Sequence, residues 1–176
     1  MIYCFLADGF EEIEAIAPID ILRRASLPVL TVGVTGKTVS GAHGIVVEAD
    51  ITMDDVEPDK MTGIILPGGI PGATNLEADM RLSALIDFAA ENNILLCAIC
   101  AAPMILGKKG LLRGKKATCY PGFEEHLTGA IIGGNVCRDG QFITAEGAGA
   151  ALLFGYTILE ALGKDSDSLR KGMRYE

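Results

Sequence analysis

The stretch ILLCAICAA, residues 94–102, decides the fold. Residues 94–99 form an unbroken apolar run of strand length, and a strand apolar at every position is buried on both faces, as in a parallel sheet covered by helices. Cys100 ends that run, and the small residues Ala101 and Ala102 open an expected helix from 101 to about 109. Upstream, residues 2–6 are a short strand followed by Asp8-Gly9. Residues 11–25 carry helical spacing through Ile13, Ile16, Ile19 and Leu22, with a kink expected at Pro18. Residues 29–34, 45–47 and 63–66 are further strands, the last running into the loop Pro67-Gly68-Gly69-Ile70-Pro71-Gly72. Residues 80–92 are an amphipathic helix. Downstream, a strand is expected at 117–119, a hairpin at Asp139-Gly140 and a helix at 150–162 closed by Gly163. A last short helix to about Met173 would be capped by Asp165 or Ser166. Alternating strands and helices give an α/β fold with a mostly parallel central sheet between helical layers, and ligands in such sheets sit beyond the carboxyl ends of the strands. The residues just after Leu6, Leu66 and Ile99 are the places to search.

The 176 residues suit one domain, 1–176, with no internal repeat or linker. Lys and Arg number 15 against 23 Asp and Glu, a formal charge of −8, so neither nucleic acid nor an anionic membrane is an expected partner. The uncharged, largely apolar run 94–107 is interrupted by Pro103 and falls short of the roughly 20 residues that cross a bilayer. No basic start precedes Asp8, so no signal peptide is expected and the location is read as cytoplasmic. Five cysteines, four of them in apolar or strand-like segments, suit reduced thiols rather than a disulfide framework.

Several motifs fail on inspection. Gly36-Lys37-Thr38 would need a glycine at 31 and has Thr31, so no phosphate loop is present. Cys97 and Cys100 form a CxxC, but Cys97 lies inside the apolar strand and reads as core. His43 and His126 lack ligand spacing to a cysteine, so no metal and no cofactor is expected. Cys100 differs from the other thiols. It stands at a strand–turn–helix junction where a nucleophile can be held above the sheet, and a helix N-terminus there would lower its pKa and offer backbone donors to an oxyanion. The competing reading is an inert core thiol. The loop 67–72 brings three glycines whose N–H groups could approach an anion, or is a tight turn. Glu11, Glu12 and Glu14 suit a solvated helix start. Glu14, followed by the nearly apolar 15–19, is the one expected to turn inward, where a carboxyl can be held neutral.

Three segments carry a resemblance to a known family: Ala7-Asp8-Gly9-Phe10-Glu11-Glu12-Ile13-Glu14 with Pro18-Ile19-Asp20, Leu66-Pro67-Gly68-Gly69 through Asn75-Leu76, and Ala98-Ile99-Cys100-Ala101-Ala102-Pro103. Together they resemble the ThiJ/PfpI superfamily, in particular the subfamily of the parkinsonism-associated deglycase. The resemblance implies a flavodoxin-like α/β sandwich that forms homodimers, with Cys100 as the reactive, oxidation-sensitive thiol and Glu14 as the carboxyl bonded to it. It also implies Gly69 and Ala101 as oxyanion donors, with Gly68 and Tyr120 beside the pocket. Ala101 stands where peptidase-like relatives draw on a histidine, which removes the base for peptidase or glutaminase chemistry. Tyr120 replaces a pocket histidine and Glu146 an arginine of the animal deglycase, while His126 corresponds to neither. Two functions follow from the resemblance. One is a glutathione-independent glyoxalase or deglycase acting on a small carbonyl such as methylglyoxal or on a glycated adduct. The other is a non-enzymatic stress protein or chaperone whose signal is oxidation of Cys100. Homodimerisation also suits the apolar side of the first helix around Ile13, Ile16 and Ala17.

Overall fold

A computed structural model describes residues 1–175. The apolar run at the start is β1 (Ile2–Leu6), which leads into α1 (Glu12–Arg24) and back to β2 (Val29–Gly33). A small antiparallel hairpin, β3 (Thr38–Ser40) with β4 (Val46–Glu48), precedes the two-residue edge strand β5 (Ile51–Thr52) and then β6 (Gly63–Leu66). α2 (Gly72–Ala78) and α3 (Met80–Glu91) lead to β7 (Leu95–Ile99), and α4 (Pro103–Lys108) follows. β8 (Lys116–Ala117) pairs with β9 (Ile131–Ile132), and β10 (Val136–Asp139) forms the expected hairpin with β11 (Phe142–Ala145). α5 (Ala151–Ala161) and α6 (Asp167–Gly172) come last.

Seven strands form one sheet in the order β10-β11-β7-β6-β1-β2-β5, parallel except for β10. This is the flavodoxin-like arrangement. Alternation along each strand sorts the core into two layers. Tyr3, Phe5, Ile64, Leu66, Leu96 and Ala98 face α2, α3 and α4, whereas Cys4, Leu6, Ile65, Cys97, Ile99 and Ile143 face α1 and α5. α1 and α5 approach closely because Gly155 presents no side chain; a Cβ there would lie 2.7 Å from Ile21 Cδ1 and 3.0 Å from the Pro18 Cα. Among the described residues no helix is long and apolar enough to cross a membrane.

Several boundaries differ from expectation. α1 runs unbroken through Pro18; the missing N–H removes one backbone bond, and packing of Ile21 and Leu22 beneath α5 supports the helix across it. α2 begins at Gly72, inside the stretch expected to be loop. The helix after Cys100 starts at Pro103 rather than 101, because proline favours the first helical turn and Ala101-Ala102 are spent on the turn itself. The strand expected at 117–119 ends at Ala117, as the chain turns away to reach Cys100. Ser166 occupies the cap position of α6, but its hydroxyl bonds Glu160 at 2.5 Å, and it is Asp165 Oδ1 that accepts the Asp167 N–H at 3.2 Å.

Candidate active site

Where strand order reverses between β1 and β6, the loops beyond the two strand ends meet, the position at which doubly wound sheets bind ligands. The Glu11 N–H donates to Gly68 O at 3.0 Å and the Gly72 N–H to Gly9 O at 3.2 Å. Contact this close needs glycines: Gly9 and Gly69 have φ of +87° and +86°, and a Cβ on Gly9 would lie 2.5 Å from Pro71 Cδ.

Cys100 stands one strand away, at the end of β7, with φ of +64°. A non-glycine residue in the left-handed region is costly, and here flanking hydrogen bonds hold it. Its N–H donates to Ala145 O at 2.9 Å and its carbonyl accepts the Tyr120 N–H at 2.8 Å. The half-buried sulfur has the Glu14 carboxyl and the backbone N–H groups of Gly69 and Ala101 as the neighbours that bear on its proton. Glu14, only 1% exposed, reaches the same point from the first turn of α1. Its N–H is capped by Glu11 Oε2 at 2.8 Å, and its Oε2 accepts the Gly68 N–H at 2.9 Å. Gly68 makes the approach possible, since a Cβ there would lie 2.6 Å from both Cys100 Cβ and Glu14 Oε2.

Burial pushes the Glu14 carboxyl up to about 7, against the Cys100 and Gly68 hydrogen bonds that favour its charge. Burial, followed by the charge of Glu14 and the hydrogen bond to it, pushes the Cys100 thiol up to about 12, while the Gly69 and Ala101 N–H groups pull it down. The lowered thiol pKa expected from a helix N-terminus is therefore corrected: α4 starts three residues beyond Cys100, and a buried carboxylate faces the sulfur instead. Above about 7 the carboxyl is ionised while the thiol, pushed up to about 12, keeps its proton. Moving that proton onto Glu14 removes the repulsion and leaves a thiolate with two N–H donors.

The pattern of the DJ-1/PfpI family matches residues 1–161. The chain belongs to the DJ-1/PfpI family. Among curated DJ-1/PfpI relatives, protein dj-1beta of Drosophila melanogaster is 33% identical over 174 residues, covering 96% of this chain and 93% of its own length. DJ-1 homolog B of Arabidopsis thaliana is 37% identical over 165 residues, 91% of this chain but only 38% of the relative. A protein named deglycase from Pyrococcus horikoshii is 31% identical over 144 residues, 80% of this chain and 86% of its own. The solved structure of oxidized Toxoplasma gondii DJ-1 superposes with a TM-score of 0.94 at 32% identity, covering 99% of this chain and 97% of that one.

The fold thus brings together Cys100, Glu14, Gly68, Gly69 and Ala101. Tyr120, half exposed, joins them through its backbone, and its ring borders an adjoining cleft. Glu12 escaped the sequence reading, which placed it in solvent. It is buried because the β3–β4 hairpin folds over it, and its carboxylate accepts the His43 N–H at 2.8 Å and meets His43 Nδ1 at 2.8 Å. Burial opposes its charge, but the hydrogen bonds from His43 and Ile45 prevail and hold the carboxyl below its ordinary value. Glu11, Glu12 and His43 bring donor atoms within 4.8 Å of one another, a grouping that spacing to cysteines could not reveal. The helix dipole at the start of α1 opposes a cation there.

Proposed function

We propose that this protein is a glutathione-independent glyoxalase or deglycase acting on reactive dicarbonyls such as methylglyoxal. The observation that supports this reading is the buried acid Glu14, set against a half-buried thiol that already faces two backbone donors. As the Cys100 sulfur adds to the aldehyde carbon, the carbonyl electron pair moves onto oxygen beside the Gly69 and Ala101 N–H groups, and the thiol proton passes by way of Glu14 to that oxygen, leaving a hemithioacetal and a free carboxylate. The Glu14 carboxylate then takes the proton from that carbon and delivers it to the neighbouring carbonyl carbon, while the hydroxyl proton of the hemithioacetal moves to the neighbouring oxygen. One carbon is oxidised as the other is reduced, so no redox cofactor is required. The resulting thioester is cleaved by water to a hydroxy acid and the free thiol. A glycated adduct enters the same sequence when sulfur displaces its amine. Conversion of methylglyoxal to lactate without glutathione is the expected activity, and Cys100→Ser should fall to the uncatalysed background. Lactate formation by Cys100→Ser at the parent rate would remove the thiol from the mechanism.

One observation favours a second reading, oxidation of Cys100 as a signal: the two N–H donors and a protonated Glu14 would equally hold the oxygens of a sulfinate. Five free cysteines suit the reduced cytoplasm in either case.

The working unit proposed is a homodimer. Ile13 and Ile16 on α1 are 56% and 43% exposed, and Ile45 and Val46, on the hairpin fastened to α1 by Glu12, are 58% and 59% exposed. These side chains do not pack on the sheet, and together they make an apolar face suited to a second copy. Sedimentation should give twice the 18.5 kDa chain mass, and Ile13→Glu should shift the protein to monomer. A parent sedimenting at the single-chain mass at micromolar concentration would rule the dimer out.

A further inference from the structure

A cleft of about 640 Å³ is bordered by Tyr120, Pro121, Asn135, Glu146 and Gly147. Ala145 pairs with Ile99 in the parallel register of β11 and β7, so the next residue on each strand, Glu146 and Cys100, leave the sheet side by side. Neighbouring strands are only about 4.8 Å apart. Tyr120 ties the cleft to the thiol, since its N–H bonds the Cys100 carbonyl while its ring lies 3.4 Å from where a Cβ on Gly147 would stand. Glu146 is exposed and, among the described residues, makes no ion pair; no lysine or arginine borders the cleft. After burial and Glu124, its charge raises the thiol of Cys119, the residue before Tyr120.

We infer that Glu146 determines specificity by charge, admitting neutral and cationic carbonyl compounds to the cleft beside Cys100 and rejecting those that carry a carboxylate. The inference rests on the dicarbonyl reading above and adds a substrate class to it. A carboxylate next to the reacting carbonyl would face Glu146 with no cation to offset the repulsion. An ammonium or guanidinium group would meet the carboxylate of Glu146 and the open face of the Tyr120 ring.

Labelling of Cys100 by charged thiosulfonates tests the inference without relying on turnover. In this reaction the thiolate attacks the sulfenyl sulfur, a disulfide forms and methanesulfinate leaves. At low ionic strength, a methanethiosulfonate bearing a trimethylammonium group should label Cys100 about tenfold faster than one bearing a sulfonate, both read by mass mapping of the Cys100 peptide. Glu146→Gln should cut that ratio several-fold and Glu146→Arg should invert it, while a neutral reagent labels all three proteins alike. In turnover, the same substitutions should raise kcat/KM for glyoxylate relative to methylglyoxal. A labelling ratio unchanged in both variants overturns the inference. Absence of turnover with a shifted labelling ratio would instead leave the charge selection standing and sink the dicarbonyl reading.

Discussion

Glu14→Gln is expected to lower hydroxy-acid formation from methylglyoxal by about 10²–10⁴-fold, the range over which a positioned acid–base group accelerates proton transfer. The substitution is nearly isosteric. Its amide oxygen can accept the Gly68 N–H that Glu14 Oε2 accepts at 2.9 Å, and its amide nitrogen can donate to the sulfur, so the fold and the elbow should persist. What disappears is the carboxylate that can take the Cys100 proton. The pH profile carries the same information. Below about 7 the parent pair holds two protons, a thiol beside a neutral acid with no base to activate it. As pH rises through about 7, Glu14 becomes a carboxylate able to take the thiol proton, so kcat/KM should climb and then level. The residual activity of Glu14→Gln should lack that limb. Parent-rate turnover by the variant would exclude Glu14 as the general acid/base. If oxidation is the function instead, Glu14→Gln should retain peroxide-driven modification of Cys100, and no multiple turnover should occur in either protein.

The central architecture was legible because each buried strand advertises itself in a few residues. The unbroken run ending at Ile99, the Gly63–Leu66 strand entering a glycine loop and the Asp139-Gly140 turn needed no tertiary information. Placement of Cys100, Gly68 and Gly69 at one edge of the sheet followed from parallel topology alone. The small β3–β4 hairpin was only half visible, since Thr38–Ser40 is short and mostly exposed and is held as a strand by its partner. Burial of Glu12 depends on that hairpin arriving from about 30 positions away, which local periodicity does not encode. The thiol pKa was misread for a similar reason. A strand followed by small residues suggested a helix end, but the group that dominates the sulfur, Glu14, comes from a different element altogether.

The buried acid should also leave a mark on stability, independent of any substrate. The Glu14 carboxyl rises from an ordinary 4.5 to about 7 in the folded chain, chiefly through burial. Between these values the folded state holds a proton that the unfolded state has released, so stability falls as pH rises through the window. Below the unfolded value Glu14 is neutral in both states and carries no penalty; above about 7 it is charged in both and the full penalty applies. Each tenfold change in proton affinity is worth 1.36 kcal/mol, so the shift amounts to about 3 kcal/mol. Glutamine never ionises and keeps the Gly68 contact. Glu14→Gln should therefore match the parent in denaturant titrations near pH 4 and exceed it by about 3 kcal/mol near pH 8, at equal protein concentration. The difference should develop mostly between about 4.5 and 7 and then stay flat. A variant whose advantage is the same at both ends would mean that packing, not charge, separates the two proteins. A variant less stable than the parent near pH 8 would mean that the Glu14 carboxylate is better solvated in the fold than its burial allows, and the proton-transfer account of Cys100 would fall with it.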